Sequence, residues 1–121
     1  MTRGEIWWAE LRPRSDSEQQ GNRPVIVVSH DGFNRTPTWR SVIVVPLSRS
    51  EAQARRGPTA IAIDKSGTGL TDNSVALCHQ VTTLDRRKLT RRIGLIDTQQ
   101  LHAIEKGLLA ALAIRAVPPV A

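Results

Sequence analysis

Apolar residues fall along this chain in short runs divided by polar stretches rich in Gly, Pro, Asp and Asn, and they take helical spacing only near the C-terminus. Gly4 to Leu11 alternates loosely, with Ile6, Trp8 and Glu10 to one side and Trp7, Ala9 and Leu11 to the other. Two tryptophans and an isoleucine in that window favour a strand. Val25 to Val28 does not alternate: four β-branched residues in a row predict a central strand covered on both faces. Pro24 lacks a backbone donor and is expected at the first position of that strand, which runs to Ser29. Trp39 to Leu47 predicts a third strand, with Val42 to Val45 again apolar on both faces and Pro46 marking a bulge or an edge. Thr59 to Ile63, Ser74 to Thr82 and Arg91 to Ile96 read as further strands, with Val75 and Leu77 inward. Short helical turns are expected within His30 to Pro37 and Thr83 to Leu89, and a Gly-rich turn through Gly67 and Gly69.

Asp97 or Thr98 starts the one long helix, with Gln100 placed for a capping box. Leu101, Ile104, Leu108 and Ala111 or Leu112 share one face, Gly107 weakens the helix slightly, and Pro118-Pro119 excludes a helical tail. Many short strands and one terminal helix predict a mostly-β chain, a small barrel or rolled sheet. At 121 residues this is a single domain, expected over 1–115 with a tail at 116–121.

Two polar loops are longer than a plain connection needs, Arg12 to Asn22 and Ser48 to Pro58, and such loops are often functional. Fourteen of the seventeen basic residues are arginine, and the net charge is +6. Arginine binds phosphate in bidentate fashion and stacks on bases, so the bias points toward nucleic acid; a GC-rich coding sequence would give the same bias. A single cysteine, Cys78, excludes an internal disulfide and a thiolate zinc cluster. The N-terminus lacks the apolar run of a signal peptide and the longest apolar run, Leu108 to Ile114, is too short to span a bilayer, so a cytoplasmic protein is expected.

No phosphate-binding glycine loop, zinc-protease helix or nucleophile elbow is present. His30, His79 and His102 have no spacing that supports acid–base catalysis, and His102 reads as a surface residue. The more informative stretch is Gly21-Asn22-Arg23-Pro24, a polar loop leading straight into the buried strand. It sets the Arg23 guanidinium at the mouth of the sheet on an anchored stem, a good place to bind a phosphate; the plain reading is an arginine that ends a strand or pairs with a carboxylate. If strand ends converge on one rim, Glu18, Gln19, Arg23 and Ser48 would meet there as a carboxylate, an amide, a guanidinium and a hydroxyl. Arg49, Arg55 and Arg56 read without further context as a solvated charge run.

Several segments resemble the MazF/PemK family of toxin endoribonucleases. Arg3 to Leu11 (RGEIWWAEL) is similar to that family's opening strand, and Ser17 to Ser29 (SEQQGNRPVIVVS) resembles its SEQxGxRPxxVxS signature. Asp72 to Val81, with Ser74-Val75 and His79-Gln80-Val81, then Thr83-Leu84-Asp85, Leu89 and a terminal helix, match in order and spacing. The resemblance implies an SH3-like barrel, a homodimer, an antitoxin partner similar to MazE, no metal cofactor, and cleavage of single-stranded RNA at short sequences. Products would carry a 2′,3′-cyclic phosphate and a 5′-hydroxyl. On the same basis Arg23 is the catalytic arginine, Ser48 the hydroxyl on the scissile phosphate, and Glu18 a candidate base that could equally well only order its loop. Gln19, Asn22, Arg49, Arg55, Arg56 and Gln80 would contact RNA. Some relatives place histidine where this chain has Asn22, which cannot shuttle a proton, so the identity of the base stays open. Aromatic residues are only 3% and tyrosine is absent, so arginine planes rather than an aromatic platform are expected to stack on bases. Two further readings are a gyrase inhibitor similar to CcdB, against which the tryptophan-free C-terminus argues, and a non-cleaving RNA-binding relative.

Overall fold

The computed structural model describes residues 1–11, 21–49, 52 and 57–115. The described strands are β1 (Glu5–Leu11), β2 (Gly21–Val27), β3 (Ser41–Ser48), β4 (Ala60–Ile63), β5 (Ser74–Leu77), β6 (Thr82–Asp85) and β7 (Leu89–Leu95). One helical turn, α1 (Asp31–Asn34), follows β2, and α2 (Thr98–Ala111) follows β7. The sheet runs in the order β4-β5-β3-β2-β1-β7, with β6 also paired to β3. The described pairings are antiparallel. The tail expected at 116–121 and most of both long loops lie outside the described residues.

The unbroken apolar run of β2 has a direct cause. Ile26 and Val28 pack with Ile6, Val45, Leu47 and Ile104 on one side of the sheet. Val25 and Val27 pack with Ala9, Val42, Val44 and Leu89 on the other. A strand between two apolar clusters needs no polar face.

Pro24 is not the first residue of its strand, as the sequence suggested. β2 begins at Gly21, and Pro24 pairs with Trp8. This part of β2 precedes the Val25↔Pro46 pair at which its ladder with β3 begins. With β1 as its ladder partner there, a missing N–H costs at most one ladder bond.

β3 turns the sheet into a rolled form. Its first half, Ser41 to Val44, pairs with β6, and its last residues, Leu47 and Ser48, pair with β5. Pro46, without a donor, lies where β3 exchanges one neighbour for the other, so it marks a change of partner and not an edge. The single strand expected over Ser74 to Thr82 is accordingly two strands, broken by a 3₁₀ turn at Cys78–Gln80. The Thr83 to Leu89 segment, read as a helical turn, does hold one, a 3₁₀ turn at Arg86–Lys88, set between the end of β6 and the start of β7.

α2 closes one side of the roll, packing on β4 and the Cys78–Gln80 turn. Its capping box is complete: the Gln100 N–H donates to Asp97 Oδ1 at 2.7 Å, and the Asp97 N–H donates to Gln100 Oε1 at 2.9 Å. Ile104 is fully buried, with Leu101 and Leu108 beside it. Gly107 is there for proximity: a Cβ at that position would lie 2.7 Å from Cys78 Sγ and 3.0 Å from Ile61 Cγ1. Asp97→Ala is expected to cost about 1 kcal/mol, the usual value of a lost N-cap, read as a fall of a few degrees in the thermal midpoint. No described helix is long and apolar enough to cross a membrane.

Candidate active site

β2 starts at Gly21, whose φ of +73° suits glycine, and delivers Asn22 and Arg23 at the open end of the sheet. Arg23 lies opposite Ala9 of β1. Carrying the Val25↔Pro46 register two residues further sets Arg23 level with Ser48, at the end of β3. The Arg23 Nη1 donates to the Leu47 carbonyl over a long 3.5 Å. Its Nε is buried, and among the described residues it is the buried side-chain polar atom left without a hydrogen-bond partner. A buried, unpaired donor costs about 1–3 kcal/mol, a penalty that an arriving anion would remove.

A cleft of about 270 Å³ opens at this point. Asn22, Arg23 and Trp8 line it from β2 and β1, and Arg49 lines it from the end of β3. Thr71 and Asp72 line it from the segment leading into β5. That segment is fixed from behind by close backbone approach, since a Cβ at Gly94 of β7 would lie 1.8 Å from the Thr68 carbonyl oxygen. The Asp72 Oδ2 accepts from Thr71 Oγ1 at 3.0 Å and pairs with Arg49 Nη1 at 3.4 Å. The Thr71 hydrogen bond, then that of Arg49, holds the Asp72 carboxyl below the usual carboxylate range, so it is ionised at neutral pH. Both members of this pair are well exposed, so it positions charge without adding much stability. On the other side the Arg91 guanidinium carbon lies 6.0 Å from the centre of the Trp8 ring, at the outer limit of a cation–π contact.

Of the residues expected from the sequence, Asn22, Arg23 and Arg49 converge on the cleft. Ser48 sits between Leu47 and Arg49, which both line it, and is itself buried and paired with Val75. Glu18, Gln19, Arg55 and Arg56 lie outside the described residues. Gln80 is not brought there within one chain: it follows the C-terminal end of β5, whereas the cleft meets the N-terminal end of β5 at Ser74. The histidines are elsewhere too. His30 Nδ1 accepts from the Gly32 N–H at 2.8 Å and caps α1, and exposed His102 lies 3.6 Å from Glu105 on α2. Among the described residues no three His, Cys, Asp or Glu side chains form a group that could hold a metal ion.

Trp8, Thr71 and Asp72 were not singled out by sequence reasoning. Asp72-Asn73 carries only a turn signature, and Trp8 only the alternation of a strand. The cross-strand pairing of Trp8 with Pro24, one residue from Arg23, was the available signal, but it needs the β1–β2 register.

A family described as PemK-like, MazF-like toxin of type II toxin-antitoxin system matches residues 2–112. Endoribonuclease EndoA of Bacillus subtilis is 34% identical over 115 residues, covering 94% of this chain and 96% of that protein. Endoribonuclease MazF of Staphylococcus saprophyticus is 28% identical, covering 97% of this chain and 95% of that protein. Among solved structures, an endoribonuclease from a mycobacterial species in complex with its cognate antitoxin superposes with a TM-score of 0.75 at 23% identity, covering 95% of this chain and 97% of that one.

Proposed function

The chain belongs to the PemK-like, MazF-like toxin family of type II toxin–antitoxin systems, and from that membership we propose that it is an endoribonuclease that cuts single-stranded RNA in the cleft beside Arg23. The observation that carries the reading is the buried Arg23 Nε without a partner among the described residues, in the wall of a cleft of a chain 34% identical to an endoribonuclease.

The chemistry follows from what a fixed guanidinium does well. A base takes the proton of a ribose 2′-hydroxyl, the 2′-oxygen attacks the adjacent phosphorus in line, and the 5′-oxygen leaves with a proton supplied by an acid. The products are a 2′,3′-cyclic phosphate and a 5′-hydroxyl. Negative charge grows on the non-bridging oxygens, where Arg23 donates from a position that needs no reorganisation. A guanidinium holds its proton too firmly to carry one to or from the reacting oxygens, so stabilising this charge is its role. Ser48, level with Arg23, hydrogen-bonds the phosphate. Glu18 is the proposed base, and Asn22 and Arg49 hold the RNA on either side of the cleft.

The acidic segment of a cognate antitoxin would inhibit by covering this basic cleft and folding as it binds. A homodimer acting in the cytoplasm, where its RNA is, completes the proposal. The relatives' endoribonuclease names favour this reading over gyrase binding. The test is incubation of the folded, antitoxin-free protein with a long single-stranded RNA in excess EDTA. Discrete cuts bearing cyclic-phosphate and 5′-hydroxyl ends are expected. An uncut RNA would overturn the reading.

A further inference from the structure

Among the cleft residues with no part in the phosphate chemistry, two suit a nucleobase. Trp8 offers an indole ring, and Asp72 offers a negative charge where a phosphodiester is to bind. A carboxylate in such a place repels the backbone, so it needs a different partner on the RNA. Its geometry suggests one. Among the described residues, both side-chain contacts of the Asp72 carboxylate, from Thr71 and Arg49, are to Oδ2. They fix the carboxylate and leave Oδ1 as an acceptor.

Resting on the endoribonuclease reading above, we propose that the cleft receives one unstacked nucleobase next to the scissile phosphate. The base stacks on Trp8 and donates its exocyclic amino group to Asp72, so adenine, cytosine and guanine are taken in preference to uracil.

The size of the cleft agrees. A volume of about 270 Å³ has room for roughly one nucleotide and not for a base pair, which fits the reading of splayed single-stranded bases. Trp8 is half-buried and lines the cleft, and the Arg91 guanidinium carbon lies 6.0 Å from its ring centre. Stacking is indifferent to base identity, because every base has a π-face. Identity is read at the edge. A carboxylate accepts from the amino groups of adenine, cytosine and guanine. Uracil presents one N–H flanked by two carbonyls, which a carboxylate repels. The Asp72 carboxyl, held below its usual range by Thr71 and Arg49, stays an acceptor across neutral pH and is a weak base for the reaction itself.

The experiment is cleavage of a randomised single-stranded RNA pool by the full chain, with cut positions mapped for wild type, Asp72→Asn, Trp8→Phe and Trp8→Ala. For wild type, uracil should be depleted at least about tenfold at one position beside the cut. Asp72→Asn, whose amide can donate to a uracil carbonyl, should reduce that depletion severalfold. Trp8→Ala should lower kcat/KM by about 5- to 150-fold at every sequence without changing base preference, and Trp8→Phe should recover most of it. Asp72 is exposed, so its variant will fold. Cleavage with no position depleted in uracil would overturn the proposal, as would an Asp72→Asn profile identical to wild type. A Trp8→Ala enzyme with wild-type kcat/KM would overturn the stacking part. If wild type cuts no RNA, it is the endoribonuclease reading that fails.

Discussion

Arg23→Ala is expected to lower RNA cleavage by at least about a hundredfold while the protein stays folded. Removing one preorganised donor from a site where anionic charge develops costs about 10²–10³ in rate, and Arg23 would bring two or more such N–H groups. Folding should be indifferent to the change. Among the described residues the hydrogen bond of Arg23 is a long 3.5 Å contact to the Leu47 carbonyl, and its Nε has no partner. Removing a half-buried guanidinium whose buried Nε is unpaired takes away a desolvation penalty together with the charge. Arg23→Lys should also be severely impaired, because an ammonium is a point charge that cannot reproduce the guanidinium fork. Initial rates on a defined RNA, with thermal midpoints measured beside them, separate the two effects. A folded Arg23→Ala protein that cuts normally would remove this residue from the site.

Gly94→Ala should destabilise the sheet strongly. The added Cβ would lie 1.8 Å from the Thr68 carbonyl oxygen and 2.7 Å from the Thr68 carbonyl carbon. Both are backbone atoms, so no flexible side chain can swing aside. Gly69, facing it, is also tight, with a Cβ placed 2.3 Å from the Ile93 carbonyl oxygen and a φ of +86°. We expect a loss of about 3 kcal/mol or more, since overpacking against backbone lies at the upper end of its range. In a chain of this length that is a fall of about 10 °C or more in the thermal midpoint. The effect reaches the cleft, because the segment wedged against β7 here carries Thr71 and Asp72. A midpoint within about two or three degrees of wild type would show that the loop can move off β7 at little cost.

What the sequence disclosed depended on how local its cause was. The capping box of α2 is an interaction between residues three apart, and both halves form as the pattern requires. The run Val25 to Val28 told of burial on two faces because no other arrangement suits four β-branched residues, and two clusters do cover it. The break at Cys78–Gln80 had no such local mark. It arises where β3 changes partner around Pro46, more than thirty residues earlier in the chain. The reach of β2 back to Gly21 likewise depends on pairing with β1.

The site divided in the same way. Arg23 was conspicuous because a polar loop runs into a buried strand at that point. Trp8 and Asp72 reach the cleft by register and by the seating of a distant loop, so neither carried a mark of its own. Nor could composition sort the arginines. Arg86 donates to the carbonyls of Phe33, Asn34, Thr36 and Trp39, and Arg3 bonds Val28 and Glu105. These two hold the fold together, whereas Arg23 and Arg49 face the cleft. A net charge of +6 weighs all of them alike.

In the proposed reaction the 2′-hydroxyl of the RNA is the nucleophile and Arg23 stabilises the charge its attack creates. The most direct measurement uses a short RNA containing one mapped cleavage site, with a single 2′-deoxy nucleotide on the 5′ side of the cut, incubated with the protein in excess EDTA. This RNA should still bind but stay intact, while its all-ribose counterpart is cut to a 2′,3′-cyclic phosphate and a 5′-hydroxyl. Cleavage of the 2′-deoxy substrate at the same bond would contradict it, because the attacking oxygen would then come from elsewhere.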